Sequence, residues 1–207
     1  VEPNSLAVPT MIILAVVGAR YIHDSYADAV AALRIDERGV TGDRRSFESL
    51  IGIRLQLAAT VVVWGAVQGF NVFVLGMGNL VDIDGIGLVV YGQLAFTLVY
   101  IPVLVEFGLS YFAVHFAVPR RIKRAGIGVF FHDPRKMGGF QPIGELLKRS
   151  YYFYTAALIL YFVQTKGPVI LSRYTASPYN APDAPIVEVV LTIGWLVGIA
   201  TIGYSMY

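Results

Sequence analysis

Glu106 is the residue whose chemistry most needs explaining. It is the acid in the run Ile101-Pro102-Val103-Leu104-Val105-Glu106-Phe107-Gly108. A carboxylate among such neighbours costs at least ~2.5 kcal/mol to place in lipid. It therefore needs a protein interior, a wet cavity or a partner. Ser110 follows one helical turn later and shares its face. Pro102 has no amide hydrogen, so it frees a carbonyl one turn back and can bend a helix. Three readings stay open: an ion or proton site, a hydrogen bond to a neighbouring helix, or a position close to the inner membrane interface.

Two polar rows accompany this acid. Gln56, Thr60, Gln68 and Asn71 fall within about 120° of one helix face, with Val63 and Val67 in the same sector. Gln93, Thr97 and Tyr100 form a shorter row. Side-chain amides in lipid seek partners, so both rows point into a bundle and could meet there. Such rows either line a solute path or bond helix to helix.

The most motif-like segment is Phe131-His132-Asp133-Pro134-Arg135-Lys136-Met137-Gly138-Gly139-Phe140. Successive amides around Gly138 and Gly139 can hold an anion, and Arg135 and Lys136 would add charge. A plain loop whose glycines supply the turn explains it as well. It is neither a phosphate-binding loop nor a dinucleotide fingerprint. Arg120, Arg121, Lys123 and Arg124 would attract anionic lipid head groups at ~1 kcal/mol per charge. Setting topology accounts for them equally. His23, His115 and His132 show no metal-ligand spacing, and His115 is expected to cap or snorkel. Tyr151, Tyr152 and Tyr154 follow Lys148 and Arg149 and suggest an interfacial anchor. The pairs Gly65/Gly69 and Gly194/Gly198 suggest packing seams, within the chain or between copies. There is no cysteine, which excludes thiolate catalysis, disulfides and Cys-ligated metals. No hydrolase or metalloprotease motif occurs, so the case for an enzyme is weak, and no cofactor is indicated.

These residues must be positioned by long apolar elements. Charged residues make up 14% of the chain, against roughly 25% in a soluble domain. That is too few to cover a water-exposed surface, and a bilayer removes the need. Runs close to the ~20 residues that cross a hydrocarbon core lie at about 6–22, 53–77, 86–118, 152–171 and 185–207. Lipid forces backbone groups to pair within each segment, so the expected fold is an all-α polytopic transmembrane helix bundle of about five spans in one domain. All Lys and Arg except Lys166 and Arg173 lie around the loops at about 23–52 and 119–151, while the loop near residue 80 carries only Asp82 and Asp84. The positive-inside rule makes both basic loops cytoplasmic and the N-terminus external. Residues 21–38 lack Gly and Pro and should extend the first helix inward. Ala27, Val30, Ala31, Leu33 and Arg34 have helical spacing there, and Ser46 is the expected cap of the next helix. A start at Val1 and an end inside an apolar run suggest a mature chain or part of a longer one.

The expected function is a channel- or transporter-type subunit conducting an ion or small solute along the polar faces of the second and third spans. Its path would use Glu106, Ser110, Gln56, Thr60, Gln68, Asn71, Gln93 and Thr97. The alternative is a membrane-embedded scaffold, sensor or accessory subunit acting through its basic loops. Expected partners are anionic membrane lipids and further copies or other subunits of a complex, without nucleic acid. The expected location is a prokaryotic plasma membrane.

Overall fold

A computed structural model describes residues 3–34, 47–76, 81–82, 85–127, 140–172 and 185–205. The expected all-α class holds: among the described residues there is helix and no strand. Five helices follow one another. They are α1 (Pro3–Ala32), α2 (Ile53–Phe70, widening into a π turn at Asn71–Leu75), α3 (residues 86–125), α4 (Gln141–Ser172) and α5 (Pro185–Ser205). Two stretches among the described residues are long and apolar enough to cross a membrane, Ile53–Phe73 and Val89–Ala125. The other expected spans fall within α1, α4 and α5.

Helix α1 is central and packs on α4 and α3, while α2 lies on α3 and α5 on α4. Its buried positions are Ala15, Ala19, Ile22, Tyr26, Ala29 and Leu33. They recur at alternating intervals of four and three, the spacing of helices that cross at a shallow angle. The N-terminal half of this stripe is small, and Gly18 lies within it. A Cβ there would meet Phe107 Cε2 at 2.8 Å and Phe153 Cδ1 at 3.0 Å. Glycine is what lets α1 approach both neighbours closely.

Helix α3 contains two wide π turns, Phe96–Tyr100 and Ala113–Ala117. Each ends two residues before a proline, Pro102 and Pro119. Proline lacks the amide that would bond the carbonyl four residues back, and its ring presses on that carbonyl. A widened turn relieves the clash without breaking the helix. The bend expected at Pro102 takes this form.

Two boundaries differ from expectation. The inward extension of α1 stops at Ala32, short of residue 38. Leu33 is fully buried, and Arg34 adopts a positive φ of 46°, which turns the chain at a cost of ~1 kcal/mol. The buried face there is Tyr26, Ala29 and Leu33, whereas Ala27 and Ala31 are exposed. Helix α2 begins at Ile53, after an extended Gly52, well beyond Ser46, which lies outside the described residues. Phe47 and Leu50 are buried. The carbonyls of Ser49 and Leu50 accept from the Arg121 guanidinium at 2.7 and 3.0 Å. Carbonyls engaged sideways by a guanidinium do not begin a helical ladder.

Candidate functional site

Glu106 and Ser110 lie one turn apart on α3, and both meet His23 of α1. Nε2 of His23 is 2.7 Å from Glu106 Oε1 and 3.3 Å from Ser110 Oγ. With the proton on nitrogen, Nε2–H donates to Oε1; with the carboxyl protonated, Oε1–H donates to Nε2. Ser110 is fully buried. The His23 side chain keeps 37% of its surface exposed and that of Glu106 22%. The second carboxyl oxygen, Oε2, is buried with no hydrogen-bond partner among the described residues. A buried polar atom left unpaired costs about 1–3 kcal/mol. Helix α1 holds His23 here because it flanks buried Ile22 and Tyr26 on the α1 stripe.

His23 is the member that sequence reasoning missed. Glu106 demanded a partner, but His23 sits at the first position assigned to a loop. The absence of Gly and Pro over residues 21–38 already placed His23 on the helical extension of the first span, but nothing local to it pointed to Glu106.

The two polar rows do meet. Gln68 Nε2 donates to Gln93 Oε1 at 2.9 Å. Trp64 Nε1, not anticipated, donates to Thr97 Oγ1 at 3.2 Å. Thr60 Oγ1 donates to the Gln56 carbonyl of its own helix at 2.8 Å. Gln56 and Asn71 are half-buried on α2 and its π turn. A groove of about 360 Å³ runs beside the contact, lined mainly by Trp64, Val89, Val90, Leu94 and Leu98 with both glutamines and Thr97. The α2–α3 polar contact and the His23–Glu106 pair lie on different sides of α3.

Arg120, Lys123 and Arg124 are exposed on the last turns of α3. Arg121 turns inward. Besides the Ser49 and Leu50 carbonyls, it donates to the Tyr26 hydroxyl at 3.3 Å, which itself donates to the Phe47 carbonyl at 3.1 Å. Burial pushes the Tyr26 phenol above its ordinary pKa, while the Arg121 hydrogen bond and charge pull it down. Arg135, Lys136, Gly138 and Gly139 lie outside the described residues.

Two further expectations change. His115 neither caps nor snorkels: its Nε2 lies 3.1 Å from Ser150 Oγ on α4, and its ring rests on Tyr111. Tyr154 is a packing residue, stacked on Tyr111 at 4.0 Å between centroids and on Phe107. Tyr152 is exposed, with Lys148 over its ring, as an anchor would be. Among the described residues no group of three His, Asp or Glu side chains can hold a metal ion.

Comparison with known proteins gives no matching family, no matching curated relative and no matching solved structure.

Proposed function

We propose that the chain is an integral membrane protein of five spans, at home in a prokaryotic plasma membrane. Within that class we propose a membrane-embedded sensor or accessory subunit rather than an open conduit. Several observations support the membrane. No residue of the apolar stretch Ile53–Phe73 is fully buried in the protein, with Val61 and Val62 65% and 69% exposed and Phe73 87%. Water would not tolerate that apolar face, and lipid does. Helix α1, at 30 residues, is about 45 Å long, enough to cross a core of ~30 Å and extend inward.

The α2–α3 hydrogen bonds support a depth for Glu106 in this reading. Gln68 faces Gln93 and Trp64 faces Thr97, so a step back along α2 matches a step forward along α3. Continued through the π turn, this register sets Glu106 level with the first turns of α2. Glu106 therefore belongs at the inner boundary of the apolar layer, where His23, just past the first expected span, also falls. Toward the outside, the approach to the pair is filled by Ala15, Gly18 and Ala19 against Phe107 and Phe153.

The observation that carries the sensor reading is the closure of the polar rows on each other. Residues expected to line a path instead bond across a helix interface, and the titratable pair faces the inner side. The transporter reading is favoured by one feature, the unpartnered Oε2 of Glu106, which fits an inward-facing, closed state. Reconstituted vesicles separate the two. Proton, sodium and potassium flux should equal that of protein-free vesicles. Flux that is present in the wild type and lost in Glu106→Gln, with the melting temperature unchanged, would reject the sensor and restore transport.

A further inference from the structure

We propose that His23, Glu106 and Ser110 form a proton-binding lock between α1 and α3, and that its state is passed to segment 47–51 through Tyr26 and Arg121. The inference rests on the sensor reading and names its stimulus as the proton on the inner side.

The chemistry of the site selects the ligand. A hard metal cation needs six or more oxygen ligands. The cluster offers two carboxyl oxygens and one hydroxyl around an imidazole nitrogen, and no third acid or histidine joins them among the described residues. A proton needs only a donor and an acceptor in contact, and 2.7 Å between Nε2 and Oε1 supplies that. Histidine is the side chain whose charge changes between about pH 5 and 8. His23 is open enough to exchange its proton with the inner solution.

The sign follows from the charge left on the pair. With His23 protonated and Glu106 ionised, the pair is neutral overall and joined by a charge-assisted hydrogen bond. When His23 loses its proton the cluster keeps one negative charge. Oε2 is then buried with no donor, and no cation remains beside it. Separation of α1 from α3, which hydrates the carboxylate, becomes favourable. Acid on the inner side therefore closes the lock, and neutral to alkaline pH loosens it. The surrounding charged and titratable groups are exposed or bonded elsewhere. On α1, Arg20 and Asp24 are exposed, and Tyr21 accepts from Arg149 of α4 at 2.5 Å. On α3, His115 is bonded to Ser150 of α4. On α2, Arg54 is exposed, and on α4 Tyr154 is stacked on Tyr111.

The route out is short. Tyr26 lies one turn beyond His23 on α1 and donates to the Phe47 carbonyl. Arg121, on the same helix as Glu106, holds Tyr26, Ser49 and Leu50 together. Movement of α1 against α3 displaces Tyr26 from Arg121, which loosens the segment both of them hold.

The test uses Leu50→Cys, a buried position of the same segment, in the otherwise cysteine-free chain, reconstituted in sealed vesicles with the inner-loop side facing the buffer. Thiol labelling, divided at each pH by that of a free cysteine to remove the pH dependence of the thiolate itself, should be several-fold slower at pH 5.5–6 than at pH 8 (about the histidine window). Glu106→Gln and His23→Gln should each abolish that dependence. Arg121→Ala should give fast labelling at every pH. Isotope-edited infrared spectra, compared with Glu106→Gln, should show the Glu106 carboxylate band shifting with pH in both the wild type and Arg121→Ala. Labelling that is independent of pH in the wild type, or equally pH-dependent in Glu106→Gln, overturns the lock. If vesicle flux is also zero, the sensor reading survives that result with another stimulus. Flux lost in Glu106→Gln overturns the sensor reading itself.

Discussion

At the scale of single residues, Arg121 shows how far a type can mislead. In the sequence it is one of four basic residues in a run, and all four read alike, as lipid contacts or as topology-setting charge. In the structure Arg120, Lys123 and Arg124 are exposed while Arg121 binds two carbonyls and a phenol. A guanidinium with five donors suits several carbonyls at once, and a lysine does not. Charge-assisted hydrogen bonds contribute about 1.5–3 kcal/mol each when shielded, and these are only partly shielded. Arg121→Ala should therefore cost about 2 kcal/mol, read as a lower melting temperature and earlier proteolysis within segment 47–51. Arg120→Ala and Arg124→Ala should stay within about 0.5 kcal/mol but weaken binding to vesicles rich in anionic lipid. Equal effects from all three would show that the inward contacts contribute nothing. Glu106 is the contrasting case. Its need for a partner was legible from a lone acid among Val, Leu and Phe. His23 was not, because it is 83 residues away, on the extension of another helix whose facing partner no local pattern reveals.

At the scale of elements, helices and their apolar runs were readable because hydropathy and scarcity of charge are local properties of the sequence. Their faces and ends were less so. The start of α2 was misjudged because a capping residue such as Ser46 is a local signal, and the contacts that keep residues 47–51 out of a helix come from α3. Tyr154 was misjudged because a tyrosine beside basic residues looks the same whether it meets headgroups or stacks on Tyr111. The glycines sort by what surrounds them. A Cβ at Gly18 meets ring atoms of Phe107 and Phe153, whereas one at Gly198 comes within 2.5 Å of Leu158 Cδ2, the end of a side chain that can rotate. One at Gly65 or Gly69 meets nothing within 4 Å. Gly18→Ala should thus lose about 1–3 kcal/mol by overpacking, and Gly198→Ala less. Gly65→Ala and Gly69→Ala should hold or gain up to about 1 kcal/mol from helix propensity. Melting of the four purified variants gives the order directly. Gly65→Ala ranking below Gly18→Ala would mean that the open face of α2 is covered by another chain.

At the scale of the whole molecule, the open question is how many helices cross. Two of them, α2 and α3, form an apolar antiparallel pair that accounts for a hairpin in the membrane without help from the others. If only that hairpin crosses, the start of α1 lies on the same side as the basic residues at the end of α3. If five helices cross, it lies opposite. The two basic clusters fall on one side of the membrane in either arrangement, so it is the further apolar runs at about 6–22, 152–171 and 185–207 that favour five. Leu6 is the discriminating position, since it is 60% exposed near the start of α1 and the two arrangements place it on opposite sides. The absence of native cysteine permits single Leu6→Cys, Ser25→Cys, Asp82→Cys and Arg120→Cys variants, labelled in intact cells with a thiol reagent that does not cross membranes. Asp82→Cys should label from outside, and Ser25→Cys and Arg120→Cys only after the membrane is permeabilised, in either arrangement. Labelling of Leu6→Cys from outside is the expected result. Protection of Leu6→Cys in intact cells, with labelling after permeabilisation, would reduce the membrane part to the α2–α3 hairpin. It would also move the packed face of α1 and α4 out of the lipid and into the inner solution.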